Sequence, residues 1–179
     1  RGIVEWLRKQ KGIGPILAAG LIAGVGDISK FPNVSKLWSY FGLFTDHYIL
    51  KCVKCKSLYM TPNPNSICGR FIKPKSKDAP VRKCDGHGVI VEHIVGKAPK
   101  RRKGVRVKWS PFLRTLYWKI ATSFVRVGQG GTWRQYYEQF KRDEQRTHPQ
   151  KCPNCKSPLG HFENRARRRT VKLFLSHFW

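Results

Sequence analysis

The sequence predicts a mainly α fold carrying two small cysteine-bearing inserts, with some β structure in the first insert. Three observations predict it. Apolar residues recur at helical spacing in residues 1–43 and again in 110–179. A Gly-x-Gly turn, Gly12-Ile13-Gly14, separates the first two helical stripes. Two Cys-x-x-Cys knuckles, Cys52/Cys55 and Cys152/Cys155, lie where that periodicity is lost.

The elements follow in order. Ile3, Trp6 and Leu7 share one helical face, and Ile16, Leu17, Leu21 and Ile22 form the next. Pro15 suits the first turn of that second helix, and Gly24-Val25-Gly26-Asp27 ends it. Together, residues 1–43 read as a helix-hairpin-helix followed by a short third helix, capped by Asn33 or Ser35 and carrying Leu37, Trp38, Tyr40 and Phe41. Residues 44–108 are rich in Pro, Gly, Cys and Lys. Within them His87 to Val95 reads as a strand, and Lys97 to Lys108 as a basic loop or β-ribbon. Residues 109–179 return to helix. Ser110-Pro111 is a cap followed by proline at the first helical position. Phe112, Leu113, Leu116, Tyr117, Ile120, Ala121 and Phe124 then form one stripe. Gln129-Gly130-Gly131 breaks it, and Thr132 caps a helix bearing Trp133, Tyr136, Tyr137 and Phe140. A second cysteine insert covers 148–161, and a last helix carries Arg165 to Lys172 around Ala166, Leu173 and Phe174.

Composition restricts the partners. The chain of 179 residues holds 36 Lys+Arg against 10 Asp+Glu, a formal net charge of +26. At 40% hydrophobic and 12% aromatic it is no disordered basic tail. Such a charge calls for an anionic partner, and a long polyanion fits best: DNA first, RNA second. A membrane span is not expected, because the longest apolar stretch, Ile13 to Val25, is interrupted by Gly14, Pro15, Gly20 and Gly24. With no signal peptide at its start, the chain is expected in the cytoplasm, on the nucleoid or in a ribonucleoprotein. It opens on Arg1 and ends mid-helix, as a fragment of a longer protein would. The sparse, scattered carboxylates argue against a metal-ion nuclease within this segment.

Three sets of residues carry chemistry. In the Gly12-Ile13-Gly14 turn, two glycines allow a tight backbone close to a ligand. Its N–H groups, the second helix's positive end and Lys11 can hold a phosphate; an ordinary helix–helix turn is the plain alternative. The second set is the cysteines. Cys52, Cys55, Cys68 and Cys84 make one four-ligand zinc site, and His148, Cys152, Cys155 and His161 a second. Closed four-ligand sites are structural, so two structural zinc ions are expected, each stapling an insert without a core of its own. Two other partitions stay open: the two knuckles could share one ion, leaving Cys68 and Cys84 aside, or His87 could replace Cys84. The third set is basic. Lys97, Lys100, Arg101, Arg102, Lys103, Arg106 and Lys108, with the Arg165 to Lys172 cluster and its Arg165, Arg168 and Arg169, are expected on phosphates. No Ser-His-Asp or Cys-His arrangement is evident, so no catalytic residue is assigned.

The string from Gly12 to Pro32, GIGPILAAGLIAGVGDISKFP, with Leu37-Trp38-Ser39-Tyr40-Phe41-Gly42-Leu43, resembles one family. These are the insertion-sequence transposases guided by a bridge RNA, which pair an N-terminal RuvC-like domain with a C-terminal helix-hairpin-helix (transposase) domain. The likeness resumes at Lys103-Gly104-Val105 and Phe112-Leu113-Arg114, at Tyr136, Tyr137 and Phe140, and from Arg168 to Leu175. The cysteine inserts lie outside it and suggest a divergent zinc-bearing branch. The resemblance implies DNA recombination, with RuvC-like carboxylates and a serine of this domain meeting at the cleaved phosphate. That serine belongs just before the basic segment, where this chain reads Glu92 to Pro99, and no Ser, Thr, Cys or Tyr occurs from Gly86 to Trp109. The expectation is therefore a nucleic-acid-binding domain of such a transposase without an evident catalytic serine. The alternative is a non-catalytic structural binder of nucleic acid, either a domesticated relative or a ribonucleoprotein component. A homo-oligomer or a larger nucleoprotein assembly fits both.

Overall fold

The computed structural model describes residues 2–74, 80–128, 130–147 and 158–179, the side chains of 158–160 excepted. Two units emerge, one of residues Arg1–Leu43 with Pro111–Trp179, the other of Phe44–Ser110.

The first unit is helical. α1 (Gly2–Lys9) and α2 (Pro15–Val25) flank the glycine turn. Pro15 sits in the first turn of α2, where its missing N–H costs nothing, and Gly14 is the N-cap. α3 (Val34–Tyr40) is capped by Asn33, whose side chain accepts the Lys36 N–H at 3.1 Å. α4 (Pro111–Arg126), α5 (Thr132–Thr147) and α6 (Pro158–Phe178) complete the unit. The α4 stripe is buried as Leu113, Leu116, Tyr117, Ile120, Ala121 and Phe124. It packs with Leu7, Leu21 and Leu37 from the first three helices and with Phe174 and Leu175 from α6. Phe174 is the centre of an aromatic group, with ring centroids 5.4 Å from Trp6 and 5.2 Å from both Phe124 and Trp133.

The second unit overturns the mainly α expectation. It is a mixed four-stranded sheet in the order β5-β1-β2-β6, beside a small β3-β4 hairpin. The strands are β1 (His47–Cys52), β2 (Leu58–Thr61), β3 (Phe71–Ile72), β4 (Arg82–Lys83), β5 (Gly88–Ile94) and β6 (Val105–Val107). β1 pairs antiparallel with β2 and β5, whereas β2 pairs parallel with β6. The physical reason for the departure is burial on both faces. In β1, Ile49, Leu50 and Cys52 are all buried, so no polar–apolar alternation marks the strand. Two small apolar groups result: Leu50 and Tyr59 with Cys52, Cys68 and Cys84, and Ile49 and Met60 with Trp109.

Among the described residues no helix is long and apolar enough to cross a membrane.

Candidate metal centre and basic surfaces

The four cysteines of the sheet unit come from three places. Cys52 ends β1, Cys55 lies three residues on in the following turn, and Cys68 and Cys84 stand on either side of the β3-β4 hairpin. Local backbone rules bring them together. Lys56 takes a positive φ of 58° just after Cys55, and its N–H returns to Cys52 O at 3.0 Å, closing the knuckle. On the other side, the Gly69 N–H donates to Cys84 O at 2.7 Å and the Cys84 N–H to Arg70 O at 2.7 Å. Gly86 permits the closest approach, because a Cβ there would stand 2.7 Å from Cys52 Sγ.

All four Sγ atoms lie within 4.8 Å of one another, with Cys52–Cys84 and Cys55–Cys68 each at 3.6 Å. A disulfide needs a much shorter separation of about 2.0 Å. A tetrahedral ion with sulfur ligands at about 2.3 Å would set its sulfurs about 3.8 Å apart, so the spacing fits a closed four-thiolate metal site. The donors are equally suited, since thiolates favour zinc and other soft ions. Electrostatics agree. The Ser57 hydroxyl, 3.0 Å from Cys55 Sγ, draws that thiol down to about 6. A Gly86 backbone hydrogen bond lowers Cys84, but burial and the Cys52 and Cys55 thiols outweigh it and push it up to about 11. Four adjacent thiols thus cannot all ionise without a cation among them.

Of the second proposed site, His148, Cys152 and Cys155 lie outside the described residues. His161 is exposed in the first turns of α6. His87, the possible substitute for Cys84, is exposed and lends only its carbonyl, to the Val53 N–H.

The expected phosphate contacts divide sharply. Lys97, Lys100, Arg101 and Lys103 are exposed. Arg101 and Lys103 border an open groove of about 500 Å³ that Arg70 and Arg106 also line. Arg102 is spoken for by Glu92, with which it makes two hydrogen bonds of 2.5 and 3.2 Å. Arg106 turns to the cysteines. Its guanidinium donates to Cys68 O and lies 3.4 Å from Cys68 Sγ, where it offsets thiolate charge.

In the helical unit the arginines of α6 separate in the same way. Arg165 and Arg169 pair with Glu144 at 3.5 and 3.3 Å, and Arg169 also with Asp143 at 3.7 Å. Arg168 has no carboxylate partner among the described residues, and its Nε is buried without a hydrogen bond. Sequence reasoning passed over Arg114, in the first turn of α4. The signal available was a lone cation bordering the apolar stripe.

The glycine turn is held from behind. Ser123 Oγ donates to Gly12 O at 2.6 Å, and Trp133 Nε1 donates to Gln10 Oε1 at 3.0 Å. Only one of the two glycines is required by conformation. Gly12 has φ of +96°, and a Cβ there would press on Val127 at 3.0 Å. Gly14 has an ordinary φ of −79° and open space around it. Gly14 with Lys11, which is exposed, therefore forms the outward part of the turn.

A model of the transposase family IS116/IS110/IS902 matches residues 4–48. That segment, which holds the hairpin and α3, is thus similar to a transposase family. Searches of curated proteins and of solved structures return no match.

Proposed function

We propose that this chain is the nucleic-acid-binding part of a transposase-related protein, with DNA as the first partner and structured RNA as the second. The observation that carries the reading is the transposase-related segment at residues 4–48, presenting a glycine hairpin within a chain of net charge +26. Phosphates are met by Lys11 and the Gly12–Gly14 backbone, by Lys97, Lys100, Arg101 and Lys103, and by Arg168. Such contacts position the protein without reading bases. The four-cysteine cluster holds a structural zinc ion. A second ion at His148, Cys152, Cys155 and His161 completes the count of two. No serine takes the nucleophile's place, so the chain by itself binds strands and does not join to them. It works in the cytoplasm, within a nucleoid-bound or ribonucleoprotein assembly.

The test is binding of the full chain to duplex DNA and to a structured RNA across a salt series. The logarithm of affinity should fall linearly with the logarithm of salt. Changing Lys97, Lys100, Arg101 and Lys103 together to Ala should flatten that slope by about 0.9 per lost DNA contact. Binding that is indifferent to salt, or a quadruple variant with the parent's slope, would refute the assignment.

A further inference from the structure

We propose that Arg114, Arg168 and Lys172 form a phosphate-binding site in the helical unit, one that grips a backbone phosphate of the nucleic acid. The proposal rests on the nucleic-acid reading above and assigns it a definite contact.

Arg168 and Lys172 are one turn apart on α6 and so share a face. Arg114 stands in the first turn of α4, which holds no acidic residue. Arg114 and Lys172 are each held in place by something that leaves the charge unspent. Arg114 donates to Gly42 O and lies with its guanidinium carbon 5.2 Å from the Tyr117 ring centroid. Lys172 Nζ lies 4.9 Å from the Trp38 ring centroid, and Trp38 Nε1 donates to Lys172 O at 3.0 Å. Arg168 keeps a buried Nε with no acceptor. Among the described residues no carboxylate pairs with any of the three.

Cations flanking the trio on α5 and α6 are paired with carboxylates. Arg165 and Arg169 have Glu144, while Lys141 and Arg167 have Glu163 at 3.2 and 3.8 Å. The trio, by contrast, has no carboxylate partner among the described residues, and all three side chains are half-buried. Burial lowers both Arg114 and Lys172, and the charge of Arg168 lowers both further. Three like charges gathered partly out of water repel one another. A bound phosphate relieves that repulsion. Two guanidinium forks and one ammonium match its oxygens, and the positive end of α4 adds to the field.

The experiment compares the full chain with Arg168→Gln and Lys172→Met. Thermal unfolding is followed in inorganic phosphate and in chloride at equal ionic strength, and affinity for a short DNA duplex across salt. Phosphate should raise the parent's melting temperature beyond chloride and should lose that effect in both variants. In chloride the variants should melt at or above the parent, because repulsion has been removed; a merely structural trio would make both melt lower, and that would overturn the proposal. The DNA salt slope should fall by about one unit in each variant. A parent that binds DNA while both variants bind it with the same affinity and slope would sink this site and leave the broader reading standing. A parent that phosphate stabilises but that does not bind DNA or RNA would refute both the nucleic-acid reading and this site's role in it.

Discussion

The helical unit and the sheet unit are held together by different means. In the helical unit, Leu7, Leu21, Leu37, Leu113, Ile120, Phe124, Phe174 and Leu175 are all 1% exposed or less and form one continuous apolar core. The sheet unit has two small groups instead, and three of the five buried members of the first are cysteines. So few side chains cannot repay the ordering of its backbone by burial alone. The difference teaches that a basic chain can concentrate its apolar residues in one region. Elsewhere, four thiols replace the missing core.

The comparison is broken most forcefully by removing the metal proposed for the cysteine quartet. With a strong chelator, or with Cys68→Ser, hydrogen exchange should show amides of β1, β2 and β5 losing protection together, while those of α4 and α6 keep theirs. Structural zinc contributes on the order of 10 kcal/mol, so the loss should be complete. Equal loss in α4 would show one cooperative body. Next in size is the converse experiment. Phe174→Ala empties the aromatic centre of the helical unit and should cost about 3–5 kcal/mol. The helices should lose protection first and zinc content should not change; a drop in bound zinc would contradict the distinction.

The smallest effect sharpens the comparison inside the sheet unit. His47 is 2% exposed, and its Nδ1 has no hydrogen-bond partner. Burial lowers its pKa, and the charge of Arg102 adds to this. The unfolded chain therefore takes up this proton more readily than the folded one. Stability from this residue is complete above the unfolded value of about 6.5 and is lost as pH falls below it. Melting temperatures measured downward from neutral pH should show a steeper decline in the parent than in His47→Gln. Parallel curves would mean that His47 contributes nothing to the acid response.

Much of the helical unit was legible beforehand. Pro15 and Pro111 lie where their helices begin, Asn33 caps α3, and the α4 stripe is the buried face. The strands were harder. β2 has only four residues, β1 is buried on both sides, and β6 is three residues inside a basic stretch. The cysteine quartet could be read because ligand type and spacing are written along the chain. The fate of each arginine could not. Whether Arg165, Arg168 or Arg169 meets a carboxylate depends on where α5 places Asp143 and Glu144, and that is a fact of packing.

The helical unit is assembled from two stretches of chain with the sheet unit spliced between them. During synthesis, α1 to α3 emerge before the partners that cover them. The intervening 67 residues, from Phe44 to Ser110, take roughly 3–13 s to translate at usual rates. For that interval α2, the most apolar helix, has no α4 to rest on. The sheet unit is complete earlier, and capture of metal can precede the closing of the hydrophobic core. Without the zinc proposed for the cysteine quartet, nascent chains would leave the ribosome with two unfinished regions at once. Such chains would be candidates for chaperones and proteases before their basic surface was ever assembled.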